Sequence, residues 1–206
     1  MNDSKTSDIE LLPDRVIKRF CRPEDFYREL EVYRLNLCVT PRLLEYREPE
    51  WIAIQRVEGL PYMDLAEGFD PILLAQTIAI LHEASTAEGL CLCHVDNQPA
   101  NILWDGSRYI LLDFADSRMD HPESDISHLL LFWAEEYAPQ KFASLAAAFL
   151  KAYLARNDLK PERWTRCLEQ SRSRFYTRRA MYSKASARLP NSQREANQLF
   201  LDGLLG

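Results

Sequence analysis

The 206-residue sequence lacks any apolar run of about 18 residues, the length that a membrane-spanning helix needs. Its N-terminal segment, MNDSKTSDIELLPD, also lacks the apolar core of a secretory signal, so we expect a cytoplasmic protein with no membrane span. Repeats and low-complexity segments are absent as well. With 47% hydrophobic and 27% charged residues, the composition indicates a globular chain of one substantial domain or two small lobes.

Cysteine is too scarce for a disulfide framework. The five residues form an odd, scattered set: Cys21, Cys38, Cys91, Cys93 and Cys167. Such a set favours reduced, mostly buried thiols. Cys91 and Cys93 suggest a metal site by their closeness, but no second Cys/His pair accompanies them at ligand spacing. The sequence therefore predicts thiols without a metal.

Basic residues are few in most of the chain. Residues 1–150 contain 26 acidic and 13 basic side chains, whereas residues 151–206 contain 5 and 12. The basic part includes the segment RSRFYTRRAMYSKASAR, from Arg172 to Arg188. An anionic partner, such as an acidic protein, is one interpretation, and a solvated helix face is the other. Because aromatics are few there and no nucleic-acid motif accompanies the charge, we favour the solvated face and do not expect nucleic-acid binding.

Hydrophobic periodicity predicts a small sheet with one helix, followed by a mostly helical region. Residues 15–20 read as a strand, 22–37 as a helix, and 40–59 as two strands joined by the polar turn REPE. A long helix is expected to begin near Pro71, and the segments NILW and YILL to pair as a hairpin around DGS. From Asp125 onward the pattern is mostly helical. We therefore predict an α+β chain with a small lobe at 1–57 and a helical lobe at 58–206.

The polar residues of this chain concentrate in HVDNQPANIL and LLDFADS. In the predicted hairpin, Asn101 begins the first strand and Asp113 follows the second, so both side chains emerge at one end. We expect them to converge with Asp96. Amide and carboxylate oxygens suit a hydrated Mg²⁺ that also takes phosphates, and a further carboxylate can deprotonate a hydroxyl. These are the groups that phosphoryl transfer requires.

The sequence here resembles the protein-kinase-like superfamily, whose signature is H-x-D-x-x-x-x-N followed by D-F. His94, Asp96, Asn101, Asp113 and Phe114 match that signature residue by residue. The resemblance implies a catalytic loop containing His94, with Asp96 as the catalytic base. It also implies that Asn101 and Asp113 bind the Mg²⁺ of Mg·ATP.

Two further residues follow from the resemblance, in the order that the family keeps. Lys18, on the strand at 15–20, matches the lysine that binds the ATP phosphates. Glu29, on the following helix, matches the carboxylate that pairs with this lysine, and Glu31 is the alternative. Both Lys18 and Glu29 are thus expected to belong to the catalytic set.

The segment IAIQRVEG resembles the hinge between the two lobes. Gln55, Arg56 and Val57 would offer backbone groups to the adenine of ATP, with Ile54 beside it. Asp125 would hold the catalytic loop by accepting backbone N–H bonds, and the alternative for Asp125 is a helix N-cap.

Glycine is missing where ordinary protein kinases have a Gly-rich loop, because no glycine precedes Lys18. The signature also reads H-V-D without arginine and D-F-A in place of D-F-G. These departures resemble the atypical branch that includes aminoglycoside phosphotransferases, choline and ethanolamine kinases, and small lipopolysaccharide-core and tRNA-complex kinases. The implied fold is a minimal two-lobed kinase-like fold with a reduced N-terminal lobe and a mostly helical C-terminal lobe.

The predicted function is ATP-dependent transfer of the γ-phosphoryl group to a hydroxyl of a small molecule such as an amino alcohol, aminoglycoside or sugar. The alternatives are a minimal Ser/Thr protein kinase or ATPase, and a non-catalytic kinase-like binding module. Gln98, Trp133 and Tyr137 loosely match the choline-kinase pattern. The aromatic pair could bind a cationic head group, but we favour a core position for both rings.

Overall fold

The computed structural model describes residues 7–182 and 189–205. The strands within these residues are β1 Ser7–Leu11, β2 Arg15–Phe20, β3 Leu43–Arg47, β4 Trp51–Gln55, β5 Leu60–Pro61, β6 Thr86–Ala87, β7 Leu90–Cys93, β8 Ile102–Trp104, β9 Tyr109–Leu111 and β10 Arg118–Asp120. The α-helices are α1 Pro23–Arg34, α2 Pro71–Glu83, α3 Pro122–Glu136, α4 Pro139–Leu154, α5 Pro161–Tyr182 and α6 Asn191–Asp202. None of the described helices is long and apolar enough to cross a lipid bilayer.

The described residues divide into two compact units, and neither is continuous in sequence. The first comprises residues 7–69 and 99–118, and the second comprises residues 70–98, 119–182 and 189–205. This division differs from the predicted one at residues 57 and 58. The physical reason is the hairpin of β8 and β9, which pairs with β5 and so joins the N-terminal residues.

An antiparallel sheet in the order β1-β2-β4-β3 forms the base of the first unit. Strand β1 was not predicted, because its side chains are mostly exposed and its sequence is acidic. Helix α1 covers the sheet with the buried residues Phe26, Leu30 and Tyr33. It ends three residues before the predicted boundary, because Asn36 adopts the left-handed conformation at φ 51°.

The DGS hairpin prediction is confirmed. Ile102 pairs with Leu111, and Trp104 pairs with Tyr109. Asp105 fixes the turn, because its Oδ1 accepts hydrogen bonds from the backbone N–H groups of Ser107 at 2.8 Å and Arg108 at 2.9 Å. Such side-chain-to-backbone bonds are typical of turns that begin with aspartate.

Helices dominate the second unit, with α3 packed on α5 and α6, and α2 packed on α4. Proline occupies the first turn of α2, α3, α4 and α5, where its fixed φ suits a helix and no N–H is required. The core contains large, fully buried rings: Trp133, Phe142, Phe149, Tyr153 and Trp164. The strands of this unit form a sheet in the order β10-β7-β6, which places β7 between two neighbours.

Candidate active site

Lys18 lies in the middle of β2, with Ile9 of β1 and Ile52 of β4 as its cross-strand neighbours. It is 7% exposed, which is unusual for a lysine. Its ammonium donates hydrogen bonds to the carboxylates of Glu29 and Asp113, with an Nζ–Oδ1 distance of 2.7 Å to Asp113. The first unit therefore holds a buried cation between two carboxylates.

The partner of Lys18 is Glu29, which lies on the buried face of α1, whereas Glu31 is exposed. Burial raises the pKa of Glu29 to about 8, against the opposing attraction of the Lys18 ammonium. Burial alone would lower the pKa of Lys18, but Glu29 and Asp113 outweigh it and raise that pKa. Lys18 therefore keeps the charge that attracts a phosphate group.

Asn101 and Asp113 lie at the same end of the hairpin formed by β8 and β9. The backbone N–H of Leu112 donates to the carbonyl of Asn101 at 2.9 Å, one step beyond the last strand pair. Asp113 adopts the left-handed conformation at φ 63°, which aspartate tolerates better than most residues. The buried ring of Phe114 packs edge-on against Tyr33 at 5.5 Å and anchors the backbone beside Asp113.

The chemistry of this hairpin end fits a magnesium ion. An amide oxygen of Asn101 and a carboxylate of Asp113 are hard oxygen donors, which Mg²⁺ prefers. The Asp113 side chain is 47% exposed, so it can reach a hydrated ion while one of its oxygens contacts Lys18.

The predicted hinge residues continue from the end of β4. The backbone N–H of Gln55 donates to the carbonyl of Arg42 at 2.9 Å, and that of Arg56 donates to the carbonyl of Asp14 at 3.1 Å. Both N–H groups are thus engaged within the first unit. Contacts from this segment to an adenine would have to come from carbonyl oxygens or from Val57.

Asp96 belongs to the second unit, on the loop that follows β7. Its Oδ2 accepts a hydrogen bond from the side-chain amide of Gln98 at 3.2 Å, which orients the carboxylate. The expected convergence of Asp96 with Asn101 and Asp113 stays a prediction.

The backbone of this loop is held by Asp125, which is fully buried. Its two carboxylate oxygens accept the N–H groups of His94 and Val95, each at 2.7 Å. Because α3 begins at Pro122 with His121 as its N-cap, Asp125 lies inside the helix and the alternative reading as an N-cap is wrong. Val95 adopts a left-handed conformation at φ 70°, which is strained for a β-branched side chain.

Three buried side chains around Asp125 were missed in the sequence. His82 lies 3.1 Å from Asp125 through Nε2, and the Asn97 amide donates to the Asp125 carbonyl at 2.8 Å. His128 in turn contacts the Asn97 oxygen through Nδ1 at 2.7 Å.

His82 and Asp125 form a charged pair. Burial alone would lower the pKa of His82, but the hydrogen bond to Asp125 raises it to about 9. Burial alone would raise the pKa of Asp125, but the hydrogen bond from His82 outweighs it and lowers that pKa. The backbone of the loop that carries Asp96 is therefore hydrogen-bonded to the carboxylate of a buried ion pair.

The geometry of both units agrees with a match to the model of the phosphotransferase enzyme family (APH), which covers residues 9–166. The chain belongs to this family. No curated protein sequence matches it significantly.

Solved structures show that this phosphotransferase has a two-lobed, kinase-like α+β fold. It resembles APH(2")-IIa in its ternary complex with streptomycin and ATP, with a TM-score of 0.61, 14% identity and coverage of 86% of this chain and 84% of the other. It also resembles the choline kinase LicA from Streptococcus pneumoniae, with a TM-score of 0.60, 12% identity and coverage of 99% and 91%. The macrolide 2'-phosphotransferase MphH from Brachybacterium faecium is also similar, with a TM-score of 0.52 and 17% identity. That match covers 97% of this chain and 93% of the other.

The aromatic pair of the phosphotransferase does not form a cage for a cationic ligand. Trp133 is fully buried and packs edge-on against Phe149 at 5.5 Å, which is a core position. Tyr137 is only partly buried, and the ammonium of Lys141 lies 4.8 Å from its ring centroid. The core position that the sequence favoured is thus observed for Trp133 but not for Tyr137.

The basic segment of the phosphotransferase, Arg172 to Arg188, is described only in part. The Arg172 guanidinium binds Asp202 at 2.7 Å and the Gln198 side chain at 2.9 Å, and Arg174 donates to the Val95 carbonyl at 3.5 Å. These contacts engage both arginines within the second unit. Residues 183–188 lie outside the described residues, and nothing here supports the acidic partner considered for this segment.

Proposed function

We propose that the protein transfers the γ-phosphoryl group of Mg·ATP to a hydroxyl group of a small molecule. The observation that carries this proposal is the buried Lys18 ammonium held between Glu29 and Asp113. A lysine at the surface keeps the hydration energy of its ammonium, whereas burial of a charged group costs free energy unless the charge is paired, as that of Lys18 is. A buried ammonium held between two carboxylates suits the binding of phosphates.

In the proposed reaction, Lys18 binds phosphate oxygens of the nucleotide. Asn101 and Asp113 would hold Mg²⁺, which when bound neutralises phosphate charge. Asp96, oriented by Gln98, accepts the proton of the acceptor hydroxyl as its oxygen attacks the γ-phosphorus. The bond between that phosphorus and the bridging oxygen breaks, and ADP leaves with the electron pair.

The acceptor is proposed to be a small molecule that carries amino groups. The structural relatives include a complex with streptomycin and a choline kinase, and both streptomycin and choline are cationic. An open groove of about 630 Å³ between α3, α5 and α6 does not decide the acceptor, because its Glu135 and Asp202 carboxylates are paired with Arg194 and Arg172. The cationic molecules named with these relatives make amino alcohols and aminoglycosides the first acceptors to test.

The experiment is a screen for phosphate transfer from labelled ATP to amino alcohols, aminoglycosides, macrolides, sugars and generic proteins. The expected result is acceptor-dependent release of ADP with label in a small molecule, and little label in protein. Label in a protein serine or threonine would favour the kinase alternative, and ADP release without any acceptor would favour the ATPase.

A binding measurement separates these outcomes from a non-catalytic module. Thermal unfolding is followed with and without millimolar Mg·ATP, and the proposal predicts a rise of the melting temperature. The absence of any shift, together with the absence of transfer, would contradict the proposal.

A further inference from the structure

A buried cluster of one imidazole and two thiols lies in the second unit, outside the groups assigned to phosphate transfer. Cys91 and Cys93 are two residues apart on β7, so both side chains point to the same face of the strand. His82 reaches the same place from the last turn of α2. Their ligand atoms all lie within 4.8 Å of one another, and all three residues are buried.

We propose that His82, Cys91 and Cys93 bind one zinc ion. Two thiolates and one imidazole are the donors that Zn²⁺ takes in proteins, and the fourth position would be left to a water molecule or a neighbouring side chain. The proposed function in phosphate transfer neither requires nor predicts this site.

The spacing of the sulfur atoms suits a shared ion. The two Sγ atoms are 3.6 Å apart. A tetrahedral ion with Zn–S distances of about 2.3 Å separates two sulfur ligands by about 3.8 Å. The wider separations within the cluster, up to 4.8 Å, need a contraction of about 1 Å, which rotation of side chains can provide.

A disulfide explains this spacing less well. Residues two apart on a strand have Cα atoms about 6.7 Å apart, at the upper edge of the range for a disulfide. The observed Sγ–Sγ distance of 3.6 Å is far from a covalent S–S bond. The cysteines are free thiols that make weak contacts, Cys91 to the Asp120 carbonyl at 3.7 Å and Cys93 to the His121 carbonyl at 3.4 Å.

The surroundings of His82 already contain the groups that orient a metal-binding imidazole. One ring nitrogen lies 3.1 Å from the Asp125 carboxylate and the other 2.7 Å from the Tyr153 hydroxyl. Binding of the ion would release one ring proton of His82 and the two thiol protons to solvent and would replace one of these contacts; the remaining contact would hold the ring, as second partners of metal-binding histidines do. Because Asp125 also holds the backbone of the catalytic loop, the ion would brace the position of that loop.

His121 lies next to the cluster and could provide the fourth ligand. Its carbonyl contacts Cys93, and its buried Nδ1 has no hydrogen-bond partner among the described residues. Histidine nitrogen is a common zinc ligand, so the test includes a nitrogen count.

The experiment uses the full chain with the exposed thiols removed, Cys21→Ser/Cys38→Ser, because exposed cysteines bind metals non-specifically. This background protein is reduced and dialysed against Zn²⁺ or Co²⁺ alone. We expect one ion per chain, a sulfur-to-cobalt charge-transfer band, and a melting temperature higher by about 5–10 °C at a hundredfold excess over Kd.

Variants then assign the site. Cys91→Ser and Cys93→Ser should each weaken binding by at least about tenfold and reduce the charge-transfer band, and the variant that lacks both thiols should lose the band. The matched control is Cys167→Ser, which removes a buried thiol 3.6 Å from the Ser124 hydroxyl and should leave binding unchanged.

X-ray absorption on the zinc-loaded background protein needs no variant and so does not depend on how the variants fold. It should show two sulfur ligands at about 2.3 Å and one or two nitrogen ligands at about 2.0–2.1 Å. The proposal is overturned if the background protein takes up no ion, if uptake survives loss of both thiols, or if the bound zinc has no sulfur ligand. Any of these results would identify the cluster as packed thiols without a metal.

Discussion

Substitution of Asp125 is expected to remove the hydrogen bonds that hold the backbone of the loop that carries Asp96. The carboxylate is fully buried, accepts two backbone N–H bonds of 2.7 Å and contacts His82 at 3.1 Å. A hydrogen bond to a buried charged group contributes about 1.5–3 kcal/mol. Because asparagine keeps one acceptor oxygen and loses the charge, Asp125→Asn should lower the free energy of unfolding by about 3 kcal/mol.

Asp125→Ala should cost more than Asp125→Asn. Alanine leaves both N–H groups and the Nε2 of His82 buried without the Asp125 acceptor, so the loss should reach about 5 kcal/mol, comparable with the whole stability of a marginal domain. Urea unfolding followed by circular dichroism measures both losses. The matched control is Glu169→Gln, the same change of a carboxylate to an amide at an exposed helical position of the same unit.

Activity should follow the same order as stability. At temperatures where the variant is still folded, Asp125→Asn should lower kcat by at least about tenfold, since displacing a catalytic group by about 1 Å slows the reaction by at least this factor. The KM for ATP should change little, because the proposed nucleotide-binding groups belong to the first unit. If the free energy of unfolding of Asp125→Asn lay within about 0.5 kcal/mol of the wild-type value, the reasoning about this carboxylate would be refuted.

Three further substitutions test separate parts of the structure. Lys18→Met should lower phosphate transfer by at least about 100-fold, because the phosphate-binding charge is lost, whereas Lys151→Met at an exposed helical position should have no effect in the same assay. Gly59→Ala should lower the free energy of unfolding by about 1–3 kcal/mol, because its β-carbon would lie 2.5 Å from a backbone oxygen of β8, whereas Gly203→Ala meets nothing closer than 3.8 Å. Val95→Gly should have a free energy of unfolding about 1 kcal/mol higher than Val95→Ala, because only glycine adopts the left-handed backbone at φ 70° without strain. Equal transfer by both lysine variants, equal stability of both glycine variants, or a more stable alanine at position 95 would contradict these expectations.

The parts of the fold that local patterns encode could be predicted from the sequence. The DGS turn has its own hydrogen-bonding aspartate, and Pro71 suits the first turn of a helix, so the elements around them were predictable. Strand β1 was not, because its short acidic sequence has only two apolar residues, both exposed, and this edge strand owes its conformation to pairing with β2.

The candidate site divides in the same way. Asn101 and Asp113 flank a hairpin, so their common end follows from strand pairing alone. The contacts of Asp125 with His82 and Asn97 depend on how α2 and α3 pack around the loop, and packing between distant segments leaves no local pattern.

The cysteine cluster shows the same limit most clearly. The sequence places no further ligand beside Cys91 and Cys93 at a recognised spacing, because His82 approaches from the neighbouring helix α2. Ligand spacing detects only those sites that are built from adjacent residues.

The most direct test of the proposed function is single-turnover transfer by Asp96→Asn, with an acceptor found in the screen. Binding of Mg·ATP should stay within about twofold of the wild type, while transfer should fall by about 10²–10⁴-fold, because only the proton acceptor has been removed. Asp158→Asn, at an exposed carboxylate of the same unit, serves as the matched control. A folded Asp96→Asn protein that transfers phosphate as fast as this control would contradict the mechanism.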